Sequence, residues 1–127
     1  MANGDDAVLN RASVTFHTND EDKDNDTWVD VVVKLIDGSE VTSIGDQFAH
    51  FGDNSDAGPF DLIPIKSATR GQLKTGSVTV TISPNGNDTW RMNFFVDLLF
   101  EDGAHLFARA NGLELTESRK SQSFGIE

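Results

Sequence analysis

The chain has 127 residues, no cysteine, and a formal net charge of −11 from 10 Lys+Arg against 21 Asp+Glu. This length suits one domain with a buried core, and the absence of thiols excludes disulfides, cysteine catalysis and thiolate metal sites. So acidic a surface would repel phosphate backbones, which argues against a nucleic-acid partner.

Apolar and polar residues alternate in several segments, as in strands that bury one face, and no sustained helical period is present. An Asp102-Gly103 pair between two such segments indicates a hairpin, and a short helix or turn is expected over Thr69–Leu73. The pattern predicts an all-β fold, an antiparallel two-sheet β-sandwich of about seven to eight strands. In chain order the segments are 13–17, 28–35, 40–51, 60–65, 77–83, 90–100, 106–110 and 113–116, with 122–126 as an additional candidate.

Residues 1–11 contain few apolar side chains, so a flexible polar leader is expected there, followed by a single sandwich domain over 12–127. No segment has the length and hydropathy of a transmembrane helix. The first ten residues also lack the basic and apolar zones of a signal peptide. The sequence therefore predicts a soluble chain without specifying its compartment.

Three connections are rich in acidic and amide side chains: 19–26, 51–58 and 84–88. If consecutive strands run antiparallel, these connections emerge at the same end of the sandwich. Crowded carboxylates repel one another, whereas Ca²⁺ takes about six to eight oxygen ligands in irregular geometry and would make the crowding favourable. The predicted calcium ligands are Asn19, Asp20, Asp22, Asp24, Asp26, Asp53, Asp56, Asn87 and Asp88.

The acidic run from Asp20 to Asp26 is superficially similar to an EF-hand loop, but Asn25 replaces the invariant glycine and Val31 replaces the final glutamate. A single acidic run is most often a solvated loop. Three such loops converging at one end favour calcium.

The segments 14–20 and 26–29 resemble the first two strands and the acidic loop of the PLAT (lipoxygenase-homology) β-sandwich family. The segment 85–90 resembles that family's late Asn/Asp…Trp loop, and 51–60 resembles its middle turn. This resemblance implies a PLAT-like domain that engages a membrane or a protein partner with the help of calcium.

Trp28, Phe51 and Phe60 border the acidic loops and are predicted to contact a ligand, whereas Trp90 continues an apolar strand face and is expected in the core. The leading hypothesis is a calcium-binding module whose acidic loops form a recognition surface for lipid or protein. One alternative is a carbohydrate-binding sandwich in which calcium is structural and sheet-face aromatics hold a glycan. Another is a metal-free acidic domain for protein interaction, which could form oligomers through a sheet face.

An enzyme is not expected. The three histidines are far apart in sequence, and His17 and His105 face away from the apolar strand faces. Asp30 and Asp97 could form a carboxylate pair for sugar hydrolysis, but facing solvent opposite Lys34 or Arg109 is the simpler interpretation.

Overall fold

The computed structural model describes residues 6–23, 27–48, 51–83 and 89–127. Among these residues, no helix is long and apolar enough to cross a lipid bilayer. The elements are β1 (Leu9–Thr18), β2 (Trp28–Lys34), β3 (Glu40–Asp46), β4 (Ser55–Asp61), β5 (Ile63–Pro64), α1 (Arg70–Leu73), β6 (Ser77–Ser83), β7 (Thr89–Phe100), β8 (His105–Thr116) and β9 (Ser121–Gly125).

The strands form a four-stranded sheet in the order β4-β1-β7-β8 and a five-stranded sheet in the order β5-β3-β2-β6-β9. Every neighbouring pair is antiparallel. The predicted antiparallel two-sheet sandwich is confirmed, with nine strands where about seven to eight were expected. The predicted segments 106–110 and 113–116 are one strand, β8, while 60–65 is divided between the end of β4 and the two-residue β5.

The core lies between the sheets and is built by the alternation visible in the sequence. The inward-facing residues of β2, β6 and β7 are at most 2% exposed. Burying each of these large side chains contributes about 1.5–3 kcal/mol. They are Val29, Val31, Val33, Val78, Val80, Ile82, Trp90, Met92, Phe94, Val96, Leu98 and Phe100.

The short helix α1 confirms the expected helix or turn at 69–73. The Thr69 hydroxyl accepts a hydrogen bond from the backbone N–H of Gln72, whose side chain accepts one from the N–H of Thr69. This capping box satisfies donors that the first turn would otherwise leave unpaired. Arg70 then ties the helix to the β7–β8 hairpin, because its Nη1 lies 2.9 Å from both carboxylate oxygens of Asp102.

The predicted leader is too long at its C-terminal end. Residues 9–11 belong to β1, and the Leu9 N–H donates to the Ala68 carbonyl at 2.8 Å. Val8 forms an isolated bridge with Thr69. Backbone pairing explains the difference, since polar side chains at a strand end do not prevent main-chain hydrogen bonds. Residues 1–5 lie outside the described residues.

Three of the four sheet edges carry features that limit further strand pairing. Pro59 in the edge strand β4 and Pro64 in the edge strand β5 have no N–H to donate. The edge of β8 is partly paired, because Phe107 and Glu127 exchange backbone hydrogen bonds of 2.9 and 2.8 Å. Gly58, before Pro59, has φ +108°, and a Cβ there would lie 2.8 Å from the Val14 carbonyl oxygen.

Replacing Gly76 by alanine should destabilise the fold, because the added Cβ would lie 2.4 Å from the Lys34 carbonyl oxygen, a backbone atom that cannot rotate away. Overpacking of this kind costs about 1–3 kcal/mol. Gly125→Ala is the control, since its Cβ would meet no atom within 4 Å and should change stability by less than about 0.5 kcal/mol. Urea unfolding of both variants measures the difference, and equal losses would contradict the close approach at Gly76.

Acid should weaken the tie between α1 and the β7–β8 hairpin. The N–H of Ala104 and the guanidinium of Arg70 hold the pKa of Asp102 below its usual 3.8. The carboxylate therefore contributes stability that is present above pH 3.8 and is lost as the pH falls through the lowered pKa. The Asp102→Asn variant should melt below the wild type at neutral pH, and the gap should narrow as the pH falls below 3.8.

The control for this effect is Glu101→Gln in the same hairpin, since the Glu101 side chain has no hydrogen bond to any described residue. Thermal unfolding followed at several pH values measures all three proteins. A gap for Asp102→Asn that widens on acidification would show that the sign is wrong.

Candidate functional site

The loop pole is the end of the sandwich where β1, β3, β6 and β8 end and β2, β4, β7 and β9 begin, with the described loop residues 19–23, 27, 47–48, 51–54 and 117–120. The flanking strands pair there: Thr18 lies opposite both Ser55 and Met92, and Trp28 lies opposite Ser83. The strand ends that flank the predicted connections 19–26, 51–58 and 84–88 thus lie at one end, although residues 55–58 belong to β4. The connection over 84–88 itself lies outside the described residues.

An aromatic cluster lies beneath the loop pole and supports its loops. The Phe16 ring centroid is 5.2 Å from that of Trp90 and 6.0 Å from that of Phe51. Phe48 and Phe60 lie 4.6 Å apart at the side of the cluster. Such aromatic contacts stabilise a core beyond simple burial by about 0.5–1.5 kcal/mol per pair. The prediction that Trp90 belongs to the core is confirmed, since it is 0% exposed and its Nε1 donates to the Thr18 hydroxyl at 3.0 Å.

Lys23, in the middle of the acidic run, is fully buried. Its Nζ donates to the Thr27 carbonyl at 3.1 Å and to the Gln47 carbonyl at 2.6 Å, and lies 5.0 Å from the centre of the Phe51 ring. Its backbone also exchanges two hydrogen bonds of 3.1 Å with Phe51. One residue therefore fastens the first loop to the second through both its main chain and its ammonium group.

Asn19 and Asp20 are held by the four-stranded sheet. The Asn19 N–H donates to the Arg91 carbonyl at 2.8 Å, and its side-chain amide donates to Asn93 at 3.2 Å. Arg91 Nη1 lies 3.2 Å from Asp20 Oδ2, while its Nε donates to Glu114 at 2.6 Å. Glu114 first, and Asp20 second, raise the pKa of Arg91 above its ordinary value. Asp20 thus already faces a cation supplied by the protein.

The other predicted calcium ligands have separate positions. Asp22 is half-buried beside Lys23, and Asp53 is exposed in the second loop. Asp56 was expected in a loop but lies in β4, opposite His17 of β1. The Asp56 Oδ1 is 2.7 Å from His17 Nδ1. In the described part of the chain, no three His, Asp or Glu side chains come together as a metal would require. The remaining predicted ligands, Asp24, Asp26, Asn87 and Asp88, lie outside it.

The three aromatics predicted to contact a ligand differ in accessibility. Trp28 is 41% exposed on the outer face of the five-stranded sheet, where its Nε1 donates to Asp30 at 2.9 Å. Its indole edge lies against Gly45, where a Cβ would come within 3.1 Å of the ring. Phe60 is half-buried, and Phe51 is only 7% exposed. Of the three, Trp28 is the one best placed to meet a partner.

The carboxylate pair considered for sugar hydrolysis does not form. Asp30 lies on β2 and faces outward from one sheet, whereas Asp97 lies on β7 and faces outward from the other. The partners also differ from those expected: Asp30 accepts from Trp28, and Asp97 Oδ1 lies 2.6 Å from Nδ1 of His105. The expectation that His17 and His105 face outward is confirmed, and each lies within hydrogen-bond distance of an aspartate there.

A cleft of about 580 Å³ opens between the start of β1 and the strands β3 and β5, away from the loop pole. It is lined on one side by apolar residues such as Leu9 and Val41, and at the rim by Lys66 and the Arg11–Asp61 ion pair. None of the predicted ligands lines it.

The sequence did not predict the contacts of two residues at the loop pole, Lys23 and Arg91. Lys23 lies in a run of carboxylates, which is typical of a solvated loop. Loops also lack the periodic pattern from which the burial of a side chain can be predicted. Arg91 does carry a signal, since it occupies an outward position at the start of β7, next to the acidic connections. Sequence alone does not say which carboxylates it meets.

No protein-family model matches the chain, and no curated protein matches it. The resemblance to the PLAT family stays a prediction.

Removing the buried ammonium of Lys23 should loosen the loop pole. The Lys23→Met variant keeps the length of the side chain but leaves the Thr27 and Gln47 carbonyls without that donor, which should cost about 2 kcal/mol or more of unfolding free energy. The exposed Lys66, replaced in the same way, should lose less than about 0.5 kcal/mol. Denaturant unfolding measures both variants, and hydrogen exchange at the Lys23 and Phe51 amides should accelerate only in the first. Equal stability of the two variants would contradict a clamping role.

Proposed function

We propose that the chain is a binding module whose recognition surface is the loop pole, and that calcium bound by its acidic loops shapes that surface for a lipid or protein partner. The proposal rests on one observation. Connections that cross between the two sheets come together at one end, and neighbouring loops there carry acidic residues. The Asn54 N–H donates to the Asn19 carbonyl at 3.0 Å, and Lys23 pairs with Phe51. The loops that hold Asp20, Asp22 and Asp53 are therefore neighbours.

The donor chemistry suits a hard cation, since carboxylate, amide and carbonyl oxygens are the ligands that Ca²⁺ takes. Asp53 is exposed and Asp22 is half-buried, so each lies within reach of solvent. The described donors do not complete a shell by themselves. The calcium proposal therefore also depends on Asp24, Asp26, Asn87 and Asp88.

Trp28 supports a recognition role for this end. It is the first residue of β2, directly after the first acidic loop, and is substantially exposed. An exposed indole at such a position suits a lipid interface or a protein surface, because it joins a large apolar area to a polar N–H.

Calcium should raise the melting temperature of protein first stripped of metal with EDTA. A ligand that binds only the folded state stabilises it by mass action, and a calcium concentration ten to a hundred times the Kd would add about 1.4–2.7 kcal/mol. The Asp22→Asn/Asp53→Asn variant should lose most of this shift. Differential scanning calorimetry with calcium, and with magnesium as the competing ion, measures the effect.

The matched control is Glu40→Gln/Glu101→Gln, which removes the same charge at the opposite end of the sandwich, where β2 turns into β3 and β7 into β8. It should keep the full calcium shift. A shift lost equally in both double variants would indicate general charge screening, and no shift in the wild type would overturn the calcium proposal.

A second candidate is a metal-free acidic module for protein interaction, and side-chain contacts within the protein favour it. Arg91 neutralises Asp20, His17 pairs with Asp56, and Lys23 joins two loops through backbone carbonyls. These contacts offset part of the repulsion that otherwise argues for a metal. A melting temperature indifferent to calcium, together with salt-sensitive binding of a basic peptide, would favour this candidate.

A further inference from the structure

The outer face of the four-stranded sheet carries a row of three rings. Phe95 on β7 and Phe107 on β8 are 38% and 39% exposed, with ring centroids 5.3 Å apart. The imidazole of His105 lies parallel to the Phe107 ring, with an interplanar angle of 3° and a centroid distance of 5.8 Å. Aromatic rings in outward strand positions expose apolar area that serves no core. We call these three residues the ring row.

Polar groups directly adjoin the ring row. In the strand register Asp97 lies opposite Phe107 and Arg109 lies opposite Phe95. The Asp97 carboxylate fixes His105 through a 2.6 Å contact to Nδ1. Arg109 is exposed, and its guanidinium makes no hydrogen bond or ion pair with the part of the chain that the structure describes. The face thus combines apolar ring surface with oriented donors and acceptors.

Two hollows flank the ring row. One, of about 280 Å³, is bordered by Phe95, Arg109 and Asn111, with Thr15 and His17 on the neighbouring strand. The other, of about 200 Å³, is bordered by His105, Asp97, Ser13 and Arg11, among others. Each hollow is small, open and lined by side chains that donate or accept hydrogen bonds.

We propose that this face binds a neutral oligosaccharide whose pyranose rings stack on Phe95 and Phe107. A pyranose presents a C–H face, which packs on an aromatic ring, and hydroxyls at its edge, which need both donors and acceptors. The ring row offers aromatic surface for the C–H face. Asp97, Arg109 and Asn111, which border the hollows, offer donors and acceptors for the hydroxyls. Binding sites in general combine apolar contact area with a few well-placed polar groups.

The observations favour a neutral glycan over two other occupants. A polyanionic glycan would be repelled by a chain of net charge −11. The core of a protein–protein interface is depleted of charged residues, whereas Asp97 and Arg109 are direct cross-strand neighbours of the two phenylalanines. This arrangement disfavours a second copy of the chain as the partner.

The glycan proposal does not rest on calcium. The ring row lies along β7 and β8 on the side of a sheet, and the predicted calcium ligands Asp20, Asp22 and Asp53 lie in loops. Glycan binding should therefore persist in EDTA, so failure of one proposal leaves the other standing.

The test uses neutral cello-, xylo-, chito-, manno- and laminari-oligosaccharides as probes, with oligogalacturonate as the acidic comparison. Titration calorimetry in EDTA should detect binding of at least one neutral series. Amide shifts in an NMR titration should concentrate on 93–97 and 105–109. Phe95→Ala and Phe107→Ala should each weaken binding at least about tenfold, as truncation of a central aromatic contact does.

The control is Ile63→Ala, which removes an exposed apolar side chain from β5 in the other sheet and should leave the affinity unchanged. Melting curves establish that each variant is folded, and Phe107→Leu provides a milder substitution if Phe107→Ala is not. Binding of none of the neutral probes would overturn the proposal, as would amide shifts that map to Trp28 or selective binding of the acidic comparison. Concentration-dependent dimerisation abolished by Phe107→Ala would overturn it too, in favour of a second copy.

Discussion

A positively charged side chain buried between two loops is the interaction on which the loop pole depends. Burying an ammonium group is costly unless its donors find partners, and Lys23 finds the carbonyls of Thr27 and Gln47 and the face of Phe51. The main chain of the same residue joins Phe51, which packs on Phe16 and Trp90. The geometry of the acidic loops is thereby coupled to the hydrophobic core, and the loops cannot separate without exposing both.

The two outer faces of the sandwich have different chemical characters. The four-stranded sheet presents rings, three arginines and two histidines, with Asp97 and Asp56 held by the histidines. The five-stranded sheet presents hydroxyl groups, such as the Thr79–Ser123 pair at 2.7 Å, and the indole of Trp28. Acidic groups at the loop pole form a third surface. One small fold thus offers three chemically distinct surfaces on a shared core.

Much of the fold was predictable from the sequence, because the period-two alternation in β2, β6 and β7 directly records which side chains are buried. The hairpin at Asp102-Gly103 and the helix at Thr69 were equally readable, since capping and turn chemistry are local. β4 was harder: Ser55–Asp61 contains Gly58 and Pro59 and no clean alternation, so Asp56 was assigned to a loop. An edge strand is specified by its neighbour β1, which a local pattern does not reveal.

The candidate site was less predictable than the fold. Strand parity brought the acidic connections to one end, but parity gives no information on which charges are already paired within the protein. The contacts of Asp20 with Arg91 and of Lys23 with Gln47 join residues far apart in sequence, and depend on side-chain packing across loops. The ring row had a signal, since Phe95 and Phe107 interrupt runs of polar outward residues. Its significance emerged once the register made the two rings neighbours.

The protected edges of the sheets have a consequence for how partners are recognised. An extended peptide that joins a sheet as an extra strand needs a row of free main-chain donors and acceptors. Pro59 and Pro64 interrupt that row on β4 and β5, and Glu127 occupies the position beside Phe107 on β8. Such edges also discourage the edge-to-edge strand pairing by which fibrils grow. Away from the edge of β9, partner selectivity is therefore expected to depend on individual side chains, so that single substitutions can change specificity while the fold is kept.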